Sequence, residues 1–388
     1  MRKIRCPYCG FSCRRHGKTS AGTQRWYCSN CKIAFTSKND HQLKDFNLFQ
    51  EWLFGKNVQK EMPGKGRTFR RKISRFWDIW PLPPRIEDQH AIVFVDGIYL
   101  ARKACILICC DEHHVLGWYL CRYEHSGAWE ALMARIATPK FVVSDGGSGF
   151  RKAMKKVWKT ARLQRCTFHA FCQVKRYTTT RPKTLAGMEL YEIAKDLLHI
   201  KNEGQAFAWM IRLEGWNQRH KKFLMEQTRD ENGKLRYTHE RLLKANRSLL
   251  RLIQTNTLFT YLDKSILNGV KGPATNNRIE GGVNAQLRSM LRNHRGLSIE
   301  KRIKAVFWWC YMHSPKPLSS TEILKVMPTN ESISDIYNTM NERGKLEGSI
   351  PTWGDAVVWG ELHKTDFDIS FSNFAGKNPL HPLKVQAL

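Results

Sequence analysis

Apolar residues recur along the chain at two different spacings, and the spacing changes at a run of prolines between residues 81 and 84. Before the prolines, residues 46–54 and 68–77 carry apolar side chains every three or four positions, which predicts two helices separated by a glycine-rich break. After the prolines, the apolar residues form short runs bounded by turn-forming residues, which favours strands. The first 85 residues and the segment that follows are therefore predicted to fold differently.

The segment after the prolines predicts strands and helices in the order β-β-β-α-β-α-β. The predicted strands are residues 90–95, 103–111, 115–123, 141–144 and 163–166, and the predicted helices are residues 126–137 and 149–158. Asp96 ends the first strand, and Asp145 ends the fourth. This order indicates a mixed α/β sheet with a carboxylate at the end of two of its strands.

Helical periodicity dominates the second half of the chain. Helices are predicted at residues 186–200, 205–223, 239–254, 275–292 and 299–313. No strand is expected between about residues 170 and 270. Residues 330–388 carry five Lys or Arg and eight Asp or Glu, so this tail has a net charge of −3 and the rest of the chain carries +33.

The overall charge narrows the class of partner, because 64 Lys and Arg outweigh 34 Asp and Glu and give a net charge of +30. Such an excess favours DNA or RNA, since phosphate neutralisation releases counterions. A basic amphipathic membrane anchor, the alternative, does not stand out. The longest apolar run, residues 104–110, is short for a membrane span, and the N-terminus lacks the apolar core of a signal peptide. We expect a cytoplasmic protein whose cysteines are reduced.

Four cysteines near the N-terminus have the spacing of a zinc site. Cys6 and Cys9 form one Cys-x-x-Cys pair, and Cys28 and Cys31 form a second pair after 18 intervening residues. Four thiolates suit tetrahedral, structural Zn²⁺ with no open position. The alternative is four unrelated buried cysteines, but so short a segment has no core to hold them. Cys13 is surplus to this set and is interpreted as a turn residue.

A basic helix follows the cysteine-rich segment. Its cations are Arg67, Arg70, Arg71, Lys72 and Arg75. One interpretation is a helix that enters a DNA groove, and the other is a solvated charged face. The zinc site before it and the acidic pattern after it favour DNA binding.

Asp96, Asp145 and Glu280 are the candidate catalytic residues. Carboxylates at the ends of neighbouring strands can share divalent cations, and a third carboxylate from a helix can complete the site. Two Mg²⁺ (or Mn²⁺) held in this way would polarise a scissile phosphate and activate a water or a 3′-hydroxyl. An Asp after a strand also commonly opens a turn. These two, however, follow the strands on which a ribonuclease H-like fold holds its acids.

Two further polar segments accompany the acids. Cys166 and His169 form a Cys-x-x-His pair with no partner pair nearby, which favours a buried thiol and a hydrogen-bonded imidazole beside the active site over half of a metal site. The helix around Glu280 carries amides and arginines that fit contacts with a DNA backbone: Asn276, Asn277, Arg288 and Arg292. The alternative for this helix is an ordinary solvated face.

In chain order, Val95-Asp96-Gly97, Ser144-Asp145-Gly146, Arg165-Cys166-Thr-Phe-His169 and Thr275-Asn-Asn-Arg-Ile-Glu280 resemble motifs of the Mutator-like transposases of bacterial insertion sequences. The resemblance covers about residues 90–315, including the 49-residue and 135-residue gaps between the acids. It implies a DDE triad of Asp96, Asp145 and Glu280, a Cys-x-x-His signature and a helical insertion before the last acid. Trp216 resembles a tryptophan of that insertion that handles an unpaired or flipped DNA end. Many members lack a ribbon, so the four cysteines indicate a ribbon-bearing branch.

The predicted organisation is a zinc ribbon (1–40), a helix-turn-helix-like DNA-binding segment and linker (41–85), a ribonuclease H-like core (86–169 and 271–315), a helical insertion (170–270) and an acidic tail (316–388). We expect an insertion-sequence transposase that binds terminal inverted repeats and target DNA, assembles as a homo-oligomer on paired ends and transfers 3′-hydroxyls. The alternatives are a domesticated zinc-ribbon DNA-binding protein without catalysis, and a ribonuclease H-like, structure-selective nuclease. No membrane or small-molecule substrate is expected.

Overall fold

A computed structural model describes residues 4–6, 11–30, 32–36 and 42–332 of the 388-residue chain. Its contacts divide the chain into two units. The first comprises Met1–Pro84, Tyr99–Ile106 and Asn284–Leu388, and the second comprises Arg85–Ile98 and Leu107–Val283. Most of the predicted acidic tail, from residue 333 onward, lies outside the described residues.

The described ranges contain ten strands, eleven α-helices and a π-helix. The strands are β1 (Arg14–Lys18), β2 (Gln24–Cys28), β3 (Ile33–Thr36), β4 (Ile92–Leu100), β5 (Ala104–Cys110), β6 (Val115–Cys121), β7 (Phe141–Ser144), β8 (Arg162–Arg165), β9 (Gln227–Arg229) and β10 (Leu235–Tyr237). The α-helices are α1 (Gln42–Phe54), α2 (Lys65–Ile73), α3 (Ser126–Met133), α4 (Ser148–Val157), α5 (Thr167–Thr178), α6 (Leu185–Asp196), α7 (Glu203–Leu224), α8 (Glu240–Gln254), α9 (Ala285–Asn293), α10 (Ile299–Met312) and α11 (Ser320–Val326). The π-helix is Arg278–Asn284.

The first unit begins with a three-stranded antiparallel sheet of β1, β2 and β3. A separate aromatic core follows in the helices. The ring of Phe46 in α1 lies 5.4 Å from that of Trp308 in α10, and the ring of Phe49 lies 5.0 Å from that of Trp77. Offset and edge-to-face contacts of this kind add to the burial of apolar area. The aromatic positions that predicted two helices in residues 46–77 therefore pack into one core.

The second unit is built on a mixed sheet with the strand order β6-β5-β4-β7-β8. β4 pairs with β7, and β7 with β8, in parallel. Every residue of β5 and of the edge strand β6 is buried, so both faces of these two strands are covered. The predicted order of strands and helices from residue 90 to residue 166 is confirmed.

One strand boundary was predicted wrongly. The first strand of this sheet does not end at Asp96 but continues to Leu100. Beyond Asp96, the buried side chains of Ile98 and Leu100 alternate with the exposed Tyr99, which is the period of a strand with one covered face. Asp96 and Gly97, at which the strand was predicted to end, therefore lie within it.

The helical part of the second unit packs α5 to α8 around a continuous apolar core. It also contains the short hairpin of β9 and β10, where no strand was predicted. These strands are almost fully exposed and show no apolar alternation, so their residues carry no strand signal. Their turn is set by Asp230, whose carboxylate accepts hydrogen bonds from the backbone N–H of Asn232 and Lys234 at 3.0 and 2.9 Å.

Among the described residues, no helix combines the length and the apolar character needed to cross a bilayer.

Candidate active site

Parallel pairing brings two of the predicted acids to the same level of the sheet. The register of β4 and β7 pairs Val95 with Ser144 as the last partners. Asp96 and Asp145 are the next residues of these two chains, and both are partly buried. Because neighbouring strands lie about 4.8 Å apart, the two side chains leave the backbone from adjacent positions. The predicted juxtaposition of Asp96 and Asp145 follows from this register.

The loop after β7 fixes the carboxylate of Asp145. Its Oδ1 accepts a hydrogen bond of 3.0 Å from the backbone N–H of Gly147. Between them, Gly146 has a φ of +89°, in the left-handed region that favours glycine. A β-carbon at Gly146 would overlap the guanidinium of Arg165, which lies against this glycine. The glycine therefore serves both the backbone turn and the close approach of an arginine.

Glu280 lies in the π-helix, where a regular helix was predicted from residue 275 to residue 292. The wider turn is a correction to that prediction, and regular α-helix resumes only at Ala285. Insertions of this kind are rare and are often found at functional sites. The Oε1 of Glu280 lies 3.4 Å from Nδ1 of His169. Glu280 and the predicted Cys-x-x-His pair are therefore neighbours.

The predicted buried thiol is found at Cys166, which is 1% exposed. Its sulfur accepts a hydrogen bond of 3.2 Å from the backbone N–H of Asn276. The side-chain ligand atoms of Cys166, His169 and Glu280 lie within 4.8 Å of one another, so these three residues could hold a metal ion. Burial raises the pKa of the Cys166 thiol, which favours the neutral form over a thiolate ligand.

The imidazole of His169 lies near two of the predicted acids, Asp145 and Glu280. Burial lowers the pKa of its imidazole, the negative charge of Asp145 raises it, and the positive charge of Arg165 lowers it. The same imidazole is therefore influenced by the charge of Asp145 and lies in contact with Glu280. Carboxylate oxygens with a neighbouring imidazole provide suitable donors for a divalent cation.

Asn276 was predicted to contact DNA, but its side chain is completely buried. Its Nδ2 donates a hydrogen bond of 3.0 Å to the carbonyl oxygen of Val95. The enclosed amide therefore connects the chain near Glu280 to the chain before Asp96, and we assign it a positioning role instead. The adjacent Asn277 is exposed, as are Arg288 and Arg292 in α9.

Trp216 was predicted to handle an unpaired or flipped DNA base, and here too the structure corrects the expectation. The indole is 0% exposed and belongs to the apolar core of α5 to α8. Its Nε1 donates a hydrogen bond of 3.0 Å to the carbonyl oxygen of Ala186. Stacking on a base needs an exposed ring face, so Trp216 is a core residue in this structure.

Several cations of the predicted basic helix already have contacts within the chain. α2 is kinked at Gly66, and Arg67 and Arg70 are exposed. Lys72 is 3.9 Å from the carboxylate of the buried Asp45, and the guanidinium of Arg75 lies over the ring of Phe76. Arg71 is partly buried. The guanidinium of Arg70 donates a hydrogen bond of 3.2 Å to Oε1 of Gln59, so three of the five predicted cations have intramolecular partners.

The cysteine-rich segment brings together a set of thiols different from the predicted one. Cys9 and Cys31 lie outside the described residues. The sulfurs of Cys6, Cys13 and Cys28 lie within 4.8 Å of one another and could hold a metal ion. Burial, together with the charges of Cys28 and Cys6, raises the pKa of Cys13 to about 12. Cys13 is therefore not simply a turn residue, because its side chain lies at the candidate metal site.

Sequence reasoning missed two arginines. Arg165 lies against Gly146, and Arg151 in α4 is close enough to lower the pKa of Arg165 through its charge. Arg165 is the first residue of the Arg165-Cys166-Thr-Phe-His169 motif, so its position next to a signature cysteine was a signal. Arg151 gave no signal beyond a common basic helix.

Comparison with known proteins agrees with these motifs. Residues 86–219 match the model of the transposase family named Mutator. No curated protein matches the chain. The matched region contains Asp96, Asp145, Cys166 and His169, and it ends before Glu280. A transposase domain indicates a DNA-processing enzyme with DNA as its partner. This match confirms the resemblance to the Mutator-like transposases for residues 86–219.

Proposed function

We propose that this protein is an insertion-sequence transposase that cleaves DNA and joins 3′-hydroxyl ends to target DNA, with Asp96, Asp145 and Glu280 as its catalytic acids. The observation that carries the proposal is the pairing of Val95 with Ser144, which sets Asp96 and Asp145 side by side. Glu280 contacts His169, and the charge of Asp145 raises the pKa of the same imidazole. This proximity supports Glu280 as the third acid. The family match supports the reaction class.

The three carboxylates fit divalent cations such as Mg²⁺ or Mn²⁺, which prefer hard oxygen donors. Asp96, Asp145 and Glu280 would hold them. When bound, such ions polarise the scissile phosphate and favour deprotonation of the attacking water or 3′-hydroxyl. The chain itself restrains the acids: Gly147 donates a hydrogen bond to Asp145, and the π-helix carries Glu280. Fixing the ligands before substrate arrives reduces the reorganisation needed in the reaction.

We further propose that the sheet is ribonuclease H-like. Its strand order supports this proposal. β4, β5 and β6 are neighbours, and β7 and β8 lie on the other side of β4 and run parallel to it. We also propose that Cys6, Cys9, Cys28 and Cys31 hold structural Zn²⁺ in a ribbon, that the exposed Arg67 and Arg70 contact the terminal inverted repeats, and that the protein acts as an oligomer on paired ends. The net charge of +30 supports the DNA contacts.

Strand transfer in vitro tests the catalytic assignment. Labelled duplexes with the sequences that flank the gene would be incubated with the full chain, a plasmid target and Mg²⁺. We expect joined products from the wild-type chain and a loss of at least about a hundredfold in D96N, D145N and E280Q, because each change removes a charged metal ligand. D263N is the matched control, since Asp263 is an acid of the same unit that lies 4.0 Å from Arg162. Wild-type activity in D145N would refute the proposed site.

The same assay separates the two alternative functions. A zinc-ribbon DNA-binding protein without catalysis would bind the duplex and leave it uncut. A structure-selective nuclease would cut branched DNA and form no joined product. Cut and joined products that depend on all three acids would support the transposase over both.

A further inference from the structure

Two arginines lie close to the loop that carries Asp145. Arg165 ends β8, the strand parallel to β7, and its guanidinium lies against Gly146. Arg151 lies near the start of α4, the helix that begins directly after the same loop. Both side chains are partly buried, so they have lost part of their hydration.

Part of the hydrogen-bonding capacity of these two guanidinium groups is unused. Within the described part of the chain, Nη1 of Arg165 and Nε of Arg151 are buried and have no hydrogen-bond partner. The Nη2 of Arg165 donates a long hydrogen bond of 3.4 Å to Oε1 of Gln173. Buried N–H groups without acceptors are unfavourable, and more so when they carry charge, so such a pair suggests an absent acceptor.

Two cationic groups with buried, unpaired N–H donors favour an anion as the acceptor. Burial lowers the pKa of Arg165, and the positive charge of Arg151 lowers it further. Burial and the positive charge of Arg251 do the same for Arg151. Asp145 acts in the opposite direction on Arg165, but no carboxylate of the described residues lies within 4.0 Å of either guanidinium. By contrast, Arg162, at the other end of β8, lies 4.0 Å from Asp263.

We propose that Arg151 and Arg165 form a phosphate-binding site that holds a backbone phosphodiester of a nucleic acid beside Asp145. A guanidinium presents two parallel N–H groups that match two phosphate oxygens, and a phosphodiester supplies both the missing acceptors and the missing negative charge. The identity of the ligand as DNA rests on the proposed function, whereas the phosphate chemistry rests on the two arginines. Arg165 and Arg151 would hold the strand so that a neighbouring phosphate reaches the acids.

The salt dependence of DNA binding tests this site. The probe is a 40-base-pair duplex with a gene-flanking sequence, titrated with the full chain in Ca²⁺ at several salt concentrations. Each lost phosphate contact reduces the slope of log K against log salt by about 0.9. We expect this decrease in R151A and in R165A, with Kd raised about tenfold or more at low salt, because charge-assisted hydrogen bonds are lost. R165K keeps the positive charge but lacks the two parallel N–H groups of the guanidinium. We therefore expect it to keep the slope but to bind DNA more weakly than the wild type.

R162A is the matched control, because it removes the same charge from the same strand at an arginine that has a carboxylate nearby. We expect it to keep the wild-type slope. Wild-type slopes in both R151A and R165A would overturn the proposal. Arg151 lies on a helix, so R151A gives an answer even if R165A does not fold.

This experiment tests the phosphate site separately from the proposed function, because it measures DNA binding and not strand transfer. A wild-type chain that binds through both arginines but joins no DNA would keep the phosphate site and refute the transposase. If the wild-type chain joins DNA but R151A and R165A both keep the wild-type slope, the transposase is supported and the phosphate site is refuted. No binding to the duplex at all would overturn both.

Discussion

The side-chain amide of Asn276 donates a hydrogen bond of 3.0 Å to the backbone carbonyl of Val95, the residue before Asp96. The backbone carbonyl of the same asparagine accepts a hydrogen bond of 3.1 Å from the N–H of Glu280. One buried residue thus restrains the chain next to two of the three proposed catalytic acids. The two residues joined by this hydrogen bond are 181 positions apart along the chain.

Replacing Asn276 by Asp should therefore impair catalysis without removing an acid. The new carboxylate cannot donate to the Val95 carbonyl, and its oxygen would face another acceptor in a buried place. We expect strand transfer to fall at least about tenfold, which is about 1.4 kcal/mol. The Kd for duplex DNA should stay within about twofold of the wild-type value, because the side chain is not exposed.

N268D is the control for Asn276, since it makes the same chemical change at an exposed asparagine of the same unit. It should keep most of the wild-type rate. Equal rates for N276D and the wild type would show that the contact with Val95 does not restrain the site.

Gly146 should not tolerate a β-carbon. A Cβ there would overlap the Arg165 guanidinium, and the φ of +89° costs an ordinary residue about 1–2 kcal/mol. We expect G146A to lower strand transfer about tenfold or more and to reduce the salt slope of DNA binding as R165A does. The rate and the slope would be measured on the same preparation.

G233A separates the two causes at Gly146. Gly233 also has a positive φ, +72°, but a β-carbon there meets no atom within 4 Å. It should show the backbone strain alone, as a small fall in melting temperature with activity kept. If G146A behaves like G233A, the displacement of Arg165 has no functional effect.

Zinc content distinguishes the possible thiol sets at the N-terminus. The four-cysteine prediction requires about one Zn²⁺ per chain, bound by four thiolates. We expect C28S to lose the metal, and C13S to retain it because two Cys-x-x-Cys pairs already supply four ligands. Elemental analysis of the purified chains gives the stoichiometry. Loss of zinc in C13S would instead make Cys13 a ligand, as its position beside Cys6 and Cys28 allows.

The stability of the first unit should rise at alkaline pH because of Lys304, whose side chain is fully buried. Its ammonium donates hydrogen bonds to the carbonyl of Trp77 and to Oδ1 of Asn330, and it lies 3.2 Å from Glu300. Burial nevertheless lowers its pKa from 10.5 to about 8, and Glu300 only partly opposes this effect. The folded chain therefore releases this proton at a lower pH than the unfolded chain does.

Between about pH 8 and 10.5, the unfolded chain binds more protons at this site, so the free energy of unfolding should rise with pH by up to about 3 kcal/mol. K304M has no such proton, so it should lack this rise. Denaturant unfolding of both chains across this range isolates the contribution, since the other titrating groups are shared. Parallel pH profiles for K304M and the wild type would rule out a depressed pKa at Lys304.

The sequence by itself determined the elements whose periodicity is local. The apolar run Phe141–Ser144, the helix Ile299–Met312 and the strand order around the first two acids were all predictable, because alternation and helical spacing report which side of one segment is buried. The motif that contains Cys166 and His169 was visible as well, and the family match over residues 86–219 agrees with it. The hairpin at residues 227–237 was missed because its strands bury almost nothing.

Only the tertiary structure decided which side chains meet. A tryptophan on a helix has the same local pattern whether it stacks on a base or fills a core, and the packing of α5 to α8 encloses Trp216. The contacts of Asn276 with Val95, and of Arg165 with Gly146, depend on strand register and on the docking of distant segments. Local spacing fixes one face of a segment but not its partner, so these positions required the folded chain.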